Sequence, residues 1–154
     1  MIEKEVQDRI INILKESNID AAIFDTLPEQ GFQQKDIPFV TVRFGNINDV
    51  VSYTPVSERY QVDIEVIVVV RQGKQIESHI EGRNELDTLC EQVRRIIKFN
   101  LHKDMADLSV FDHFVRFDLA DPQPIANNLV GRGMLVSFPI IINNDRVFGA
   151  NQDS

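Results

Sequence analysis

The side chains able to do chemistry are few and dispersed. The chain holds one cysteine, Cys90, and three histidines, His79, His102 and His113. A structural zinc site draws four ligands, mostly Cys and His, at short paired spacings. No such spacing occurs here. His79 with Glu81 matches the opening of the zinc deaminase signature, but no cysteine pair follows it. Asp63 and Glu65 stand two apart, as metal-binding acids do in some nucleases. The lysine that usually follows such a Glu by two residues is Ile67 here, so a solvated strand face accounts for both acids. His113 falls among apolar positions and reads as a partly buried histidine rather than a base. The run Val130-Gly131-Arg132-Gly133-Met134 fits neither the dinucleotide fingerprint nor the P-loop spacing. A strand bulge or a close backbone approach explains those glycines better. There is no G-x-S-x-G elbow. The expectation is a protein that is not an enzyme and that needs no cofactor and no metal.

The elements that must position these residues follow from hydrophobic periodicity. Ile2, Val6, Ile10, Ile13 and Leu14 fall at helical spacing and predict a helix over Ile2–Ser17, with Asn18 as a left-handed stop. Ala22–Thr26 is a short strand candidate. Pro38–Phe44 reads as a strand with Phe39, Thr41 and Arg43 on one face and Val40, Val42 and Phe44 on the other. Asn46–Ser57 mixes Val50, Val51 and Tyr53 with turn residues and reads as a loop or a short irregular ribbon. Arg59–Val70 is the clearest strand. Its even positions from Tyr60 to Val70 are apolar throughout, while the odd face starts wet and ends with Ile67 and Val69. Something must cover those two.

Arg71–Arg83 reads as an extended polar loop. A second helix is predicted over Asn84–Phe99, with Leu86, Leu89, Cys90, Val93, Ile96 and Ile97 as its stripe. Asn84 is its first candidate cap, and Ser78 with Glu81 a second. Arg94, Arg95 and Lys98 complement its C-terminal end. Strands follow over Ser109–Leu119 and Leu129–Ile142, with Pro139 arguing for an edge position or a bulge in the latter. Only one helix lies between strands, so most strand pairs must be antiparallel. The predicted fold class is α+β, a mostly antiparallel β-sheet with two main helices packed on one face. Residues 1–142 form a single domain and 143–154 a polar, loose tail.

The length suits one domain with a substantial core. No run approaches the ~20 apolar residues of a membrane helix. The opening Met1-Ile2-Glu3-Lys4-Glu5 has no signal-peptide character. A single cysteine permits no internal disulfide and suits a reducing compartment. The expectation is a soluble protein made in the cytoplasm. The net charge of −8 argues against tight phosphate contacts, which need Lys and Arg. It serves solubility or keeps passing DNA from sticking, and composition does not choose between these.

Read in order, the chain resembles the tail terminator (tail completion) family of long-tailed bacteriophages. The resemblance rests on the amphipathic N-terminal helix, Ala21-Ala22-Ile23-Phe24-Asp25 with Pro28, and Ile37-Pro38-Phe39-Val40-Thr41-Val42. It continues with the strand Tyr60–Val70 followed by Arg71, the helix from Asn84, and the closing strand Gly131–Ile142. It implies a ring, usually of six subunits, that caps the tail tube, ends its polymerisation and offers a surface to the head connector. The implied partners are further copies of the chain, the tail tube protein and the head connector or neck protein. DNA would pass through the channel without specific binding, and no membrane is involved. The implied location is the virion tail. The resemblance implies no cofactor and no catalytic residue. The alternatives are another head-tail joining protein, or a small ligand-binding or hydrolytic domain. The candidate subunit-interface residues are Ile67, Val69, Val51, Tyr53, Lys74 and Ile76, drawn from the uncovered strand end and the two loops.

Overall fold

The apolar stripe of the first segment forms α1 (Ile2–Glu16), and the left-handed backbone of Asn18 (φ 55°) ends it as expected. The computed structural model describes residues 2–25, 38–54, 57–71, 76–108, 115–126 and 129–143. After α1 come β1 (Ala22–Phe24), β2 (Phe39–Thr54), β3 (Ser57–Arg71), α2 (Ile76–Asp104), a 3-10 turn (Ala106–Leu108), β4 (Arg116–Leu119), β5 (Gln123–Ala126) and β6 (Leu129–Asn143). The strands make one six-stranded sheet in the order β1-β2-β3-β6-β4, with β5 also pairing β6. Among the described strands only β1–β2 is parallel, and the other pairs are antiparallel. The fold is α+β, as the sequence predicts.

Both helices pack on one face of the sheet. Val6, Ile10, Ile13 and Leu14 of α1 and Leu86, Val93, Ile97 and Leu101 of α2 share a core with Val62, Ile64, Val66, Val68 and Val70 of β3 and with the even positions of β6 other than Arg132. Successive strand residues point to opposite faces, so the odd positions of β3 and β6 face away from the helices. A guanidinium fork ties the helix layer together. Arg9 of α1 donates to both carboxylate oxygens of Asp107 (2.7 and 2.8 Å) and to the carbonyl of Asp104 (3.0 Å). Gln7 donates to the Val42 carbonyl (2.9 Å), the first one on β2 beyond the reach of β1.

Three sequence expectations are corrected. Asn46–Thr54 is neither loop nor short ribbon, because the β2 backbone stays paired with β3 up to Thr54↔Ser57. The turn residues that obscured it appear as register shifts at Phe44/Asn46, Asp49/Val51 and Ser52/Thr54. The second helix starts at Ile76, well before Asn84, and ends at Asp104 rather than Phe99. Gly82 suggested a loop, yet one interior glycine costs only about 1 kcal/mol. At the other end the stripe continues from Ile97 through Leu101, which is fully buried, as is Met105 just beyond the helix. Finally, β6 is an internal strand between β3 and β4, and its pairing with β3 runs through Pro139 without a bulge. Residues 109–114, 72–75 and 144–154 lie outside the described residues, and with them parts of the predicted strand, loop and tail.

Candidate functional site

Several of the residues with chemical potential are buried or already paired. Cys90 is buried on α2, and burial pushes its thiol up to about 11, with Arg132 opposing the shift and Asp87 adding to it. Asp63 accepts a hydrogen bond from Ser137 Oγ (2.7 Å), and Glu65 accepts one from Arg43 (2.8 Å). Both acids therefore belong to cross-strand pairs on the helix-free face. Glu91 accepts from Arg94 and Arg95, which hold its carboxyl down to about 2, Arg94 contributing most. Arg94 also lies over the Phe117 ring, 5.9 Å from its centroid. Two of the basic residues that complement the end of α2, Arg94 and Arg95, are thus committed to local pairing. His102 lies on α2, half-buried; the side chain of His79, and all of His113, lie outside the described residues. Among the described residues, no group of three or more His, Cys, Asp and Glu side chains could hold a metal ion.

Two open clefts flank α1. One, of about 410 Å³, runs between the C-terminal ends of α1 and α2 beside Ile13, Asn100 and Lys103. The other, of about 430 Å³, lies between α1 and β1 beside Asp8, Ile23 and Asp25. Neither gathers a nucleophile with a base.

What remains is the sheet face opposite α1 and α2. Phe39, Val69 and Leu129 are buried there in a second apolar cluster, with Ala22, Phe24 and Ile67 packed against it. Phe24 and Phe39 meet edge to face at 5.8 Å. Ile125 of β5 sits over Gly131, where a Cβ would collide with it. Close approach, not a bulge, explains that glycine, since β3–β6 pairing runs unbroken past it. Gly133 differs: a Cβ there would meet open space. Around it stand Ile67 directly across on β3, Leu135 two residues on, and Ile125 over the neighbouring glycine. Ile125 is 41% exposed and Leu135 37%. The apolar band therefore crosses the sheet from β1 to β5 and ends in a bare-backbone dimple at Gly133.

Of the expected interface residues, Ile67 and Val69 lie in this band. Val69 is fully buried within the chain, so its own side chain has no surface to give a neighbour; Ile67 retains exposure. Neither α1 nor α2 covers them, because both pack on the other face. Val51 and Tyr53 belong to the distal part of β2 and Ile76 opens α2, but their side chains lie outside the described residues, as does the whole of Lys74. Sequence reasoning missed Phe99, Ile125, Gly133 and Leu135. Phe99 stands off the apolar stripe of α2 and is 64% exposed. Its signal was a large aromatic at a polar helical position. No known family model matches the chain, and no characterised protein matches it in sequence.

Proposed function

We propose that the chain is a structural assembly protein that caps a bacteriophage tail tube as a closed ring, ends tube polymerisation and presents a surface for head attachment. The observation that supports this reading best is the one-sided sandwich. The face opposite the helices carries an apolar band that is buried at its centre and exposed at its β5–β6 end, at Ile125 and Leu135. That exposed end suits contact with another chain. The ring, six-fold by the resemblance, needs two different and mutually fitting surfaces on each subunit. The net charge of −8 suits a channel through which DNA moves, since strong phosphate contacts would retard it. In this reading the protein is not an enzyme and works in the virion tail with the tube protein and a head connector. Electron microscopy of the chain mixed with polymerising tail tube protein tests it. The expected result is rings at tube ends and tubes of limited length. Bare ends and unlimited growth at saturating protein would overturn it.

A further inference from the structure

We infer that Phe99 of one copy of this chain docks into the dimple at Gly133 on the sheet face of the next copy. The inference deepens the ring reading and rests on it for the presence of a second copy. Phe99 is the most exposed of the large apolar side chains described, and it projects from the helix layer. Arg95 and Lys103 stand one turn to either side of it and Lys98 adjoins it, all exposed. Arg95 is paired with Glu91, so the knob is an aromatic ring flanked chiefly by Lys98 and Lys103.

The opposite face offers the complement. Gly133 leaves the backbone bare, with nothing near the position a Cβ would take. Ile67 stands across from it in register, Leu135 two residues on along β6, and Ile125 over Gly131, so its neighbours on this face are apolar. Leu135 is flanked in register by two carboxylates, Glu65 on β3 and Asp118 on β4. Glu65 is partly neutralised by Arg43, and Asp118, exposed at the sheet edge, has Arg116 two residues away on the same face. An apolar hollow beside carboxylates matches an aromatic knob beside cations. A buried aromatic anchor in a pocket with a polar rim is the usual form of an interface hot spot. The two surfaces also lie on opposite layers of the molecule. A knob on one layer and a hollow on the other give a head-to-tail contact, which propagates into a ring or a filament rather than stopping at a dimer.

Sedimentation equilibrium on the full chain, up to about 1 mM at low salt, tests the contact. The wild type is expected to associate beyond dimers. Phe99→Ala and Gly133→Trp should each weaken association by about tenfold or more. Phe99→Ala replaces an exposed helical residue with a better helix former, so its melting temperature should hold and loss of association cannot be assigned to unfolding. Mixing the two variants is the sharper arm. Phe99→Ala keeps an intact hollow and Gly133→Trp keeps an intact knob, so the mixture should pair and stop at 1:1 dimers. Asp118→Lys and Lys103→Asp should each weaken association, and a chain carrying both should recover part of it. A wild type that stays monomeric, variants that associate like the wild type, or a mixture that does not pair would each overturn the contact. Tube capping, scored separately on the wild type, stands or falls without it. Capping by rings that ignore both variants would sink this contact and leave the function intact.

Discussion

A single side chain in this protein is best understood by asking which face of the sheet it serves. Thr41 is 1% exposed on the helix-free face, and its hydroxyl has no hydrogen-bond partner. A buried hydroxyl without a partner is destabilising, while a methyl of the same shape is not. Thr41→Val is therefore expected to raise stability by about 1 kcal/mol, read from the midpoint of urea unfolding. Cys90 makes the opposite case, a polarisable group well suited to burial. Its thiol is higher in the folded chain, about 11, than its ordinary value of 9.0. Folding thus favours the protonated form. The stabilisation is complete below pH 9 and is lost as pH rises toward 11. The native chain should react slowly with a thiol reagent at pH 8 and lose stability across that alkaline window; a Cys90→Ala variant should lack the alkaline component. Rapid labelling at pH 8 would contradict the burial. Glu91 behaves in the acidic range. Its carboxyl lies near 2 against an ordinary 4.5, so the stabilisation from its arginine pairs is present above pH 4.5 and fades as pH falls to 2.

At the scale of elements, sequence periodicity carried far where one face of an element is apolar without interruption. The even positions of β3 from Val62 to Val70 and the stripe of α1 are legible for that reason. Legibility failed where local signals oppose long-range pairing. β2 past Phe44 carries Gly45, Asn46, Asn48 and Asp49, all turn formers, and yet its backbone continues along β3. Nothing local announces a partner strand supplied by the next segment of chain. The start of α2 was hidden by Gly82 in the same way. The apolar band on the helix-free face escaped notice because it is assembled from β1, β2, β3, β5 and β6, one or two residues each. The contact between the helices is a further feature that no sequence pattern gave. Arg9 and Asp107 are 98 residues apart, and the pair raises the Arg9 guanidinium above its ordinary value. Both side chains are partly open to solvent, so screening limits what the fork contributes. Arg9→Ala is expected to cost about 1 kcal/mol, and adding Asp107→Ala to it should cost little more. Full additivity of the two losses in a double-mutant cycle would show that the fork contributes nothing as a pair.

For the molecule as a whole, the one-sided sandwich divides adjacent residues of one strand between two jobs. Val66 and Ile67 are neighbours on β3, but Val66 points into the helix-covered core and is fully buried, whereas Ile67 faces the band and keeps exposure. A carboxylate at Val66 has no water and no partner, and the chain must either protonate it or open the core. Val66→Asp should cost about 4 kcal/mol or more and leave little folded protein. Ile67→Asp loses only part of one apolar side chain, about 1–2 kcal/mol, because water reaches the new carboxylate. The folded Ile67→Asp chain should melt cooperatively, at a somewhat lower temperature, with unchanged secondary structure by circular dichroism. If the helix-free face is where copies meet, that same chain should fail to assemble at concentrations where the wild type does. Stability and assembly would then separate along one strand, one residue apart. Equal destabilisation by the two substitutions would refute the division of faces, and an Ile67→Asp chain that assembles like the wild type would remove the band from the contact.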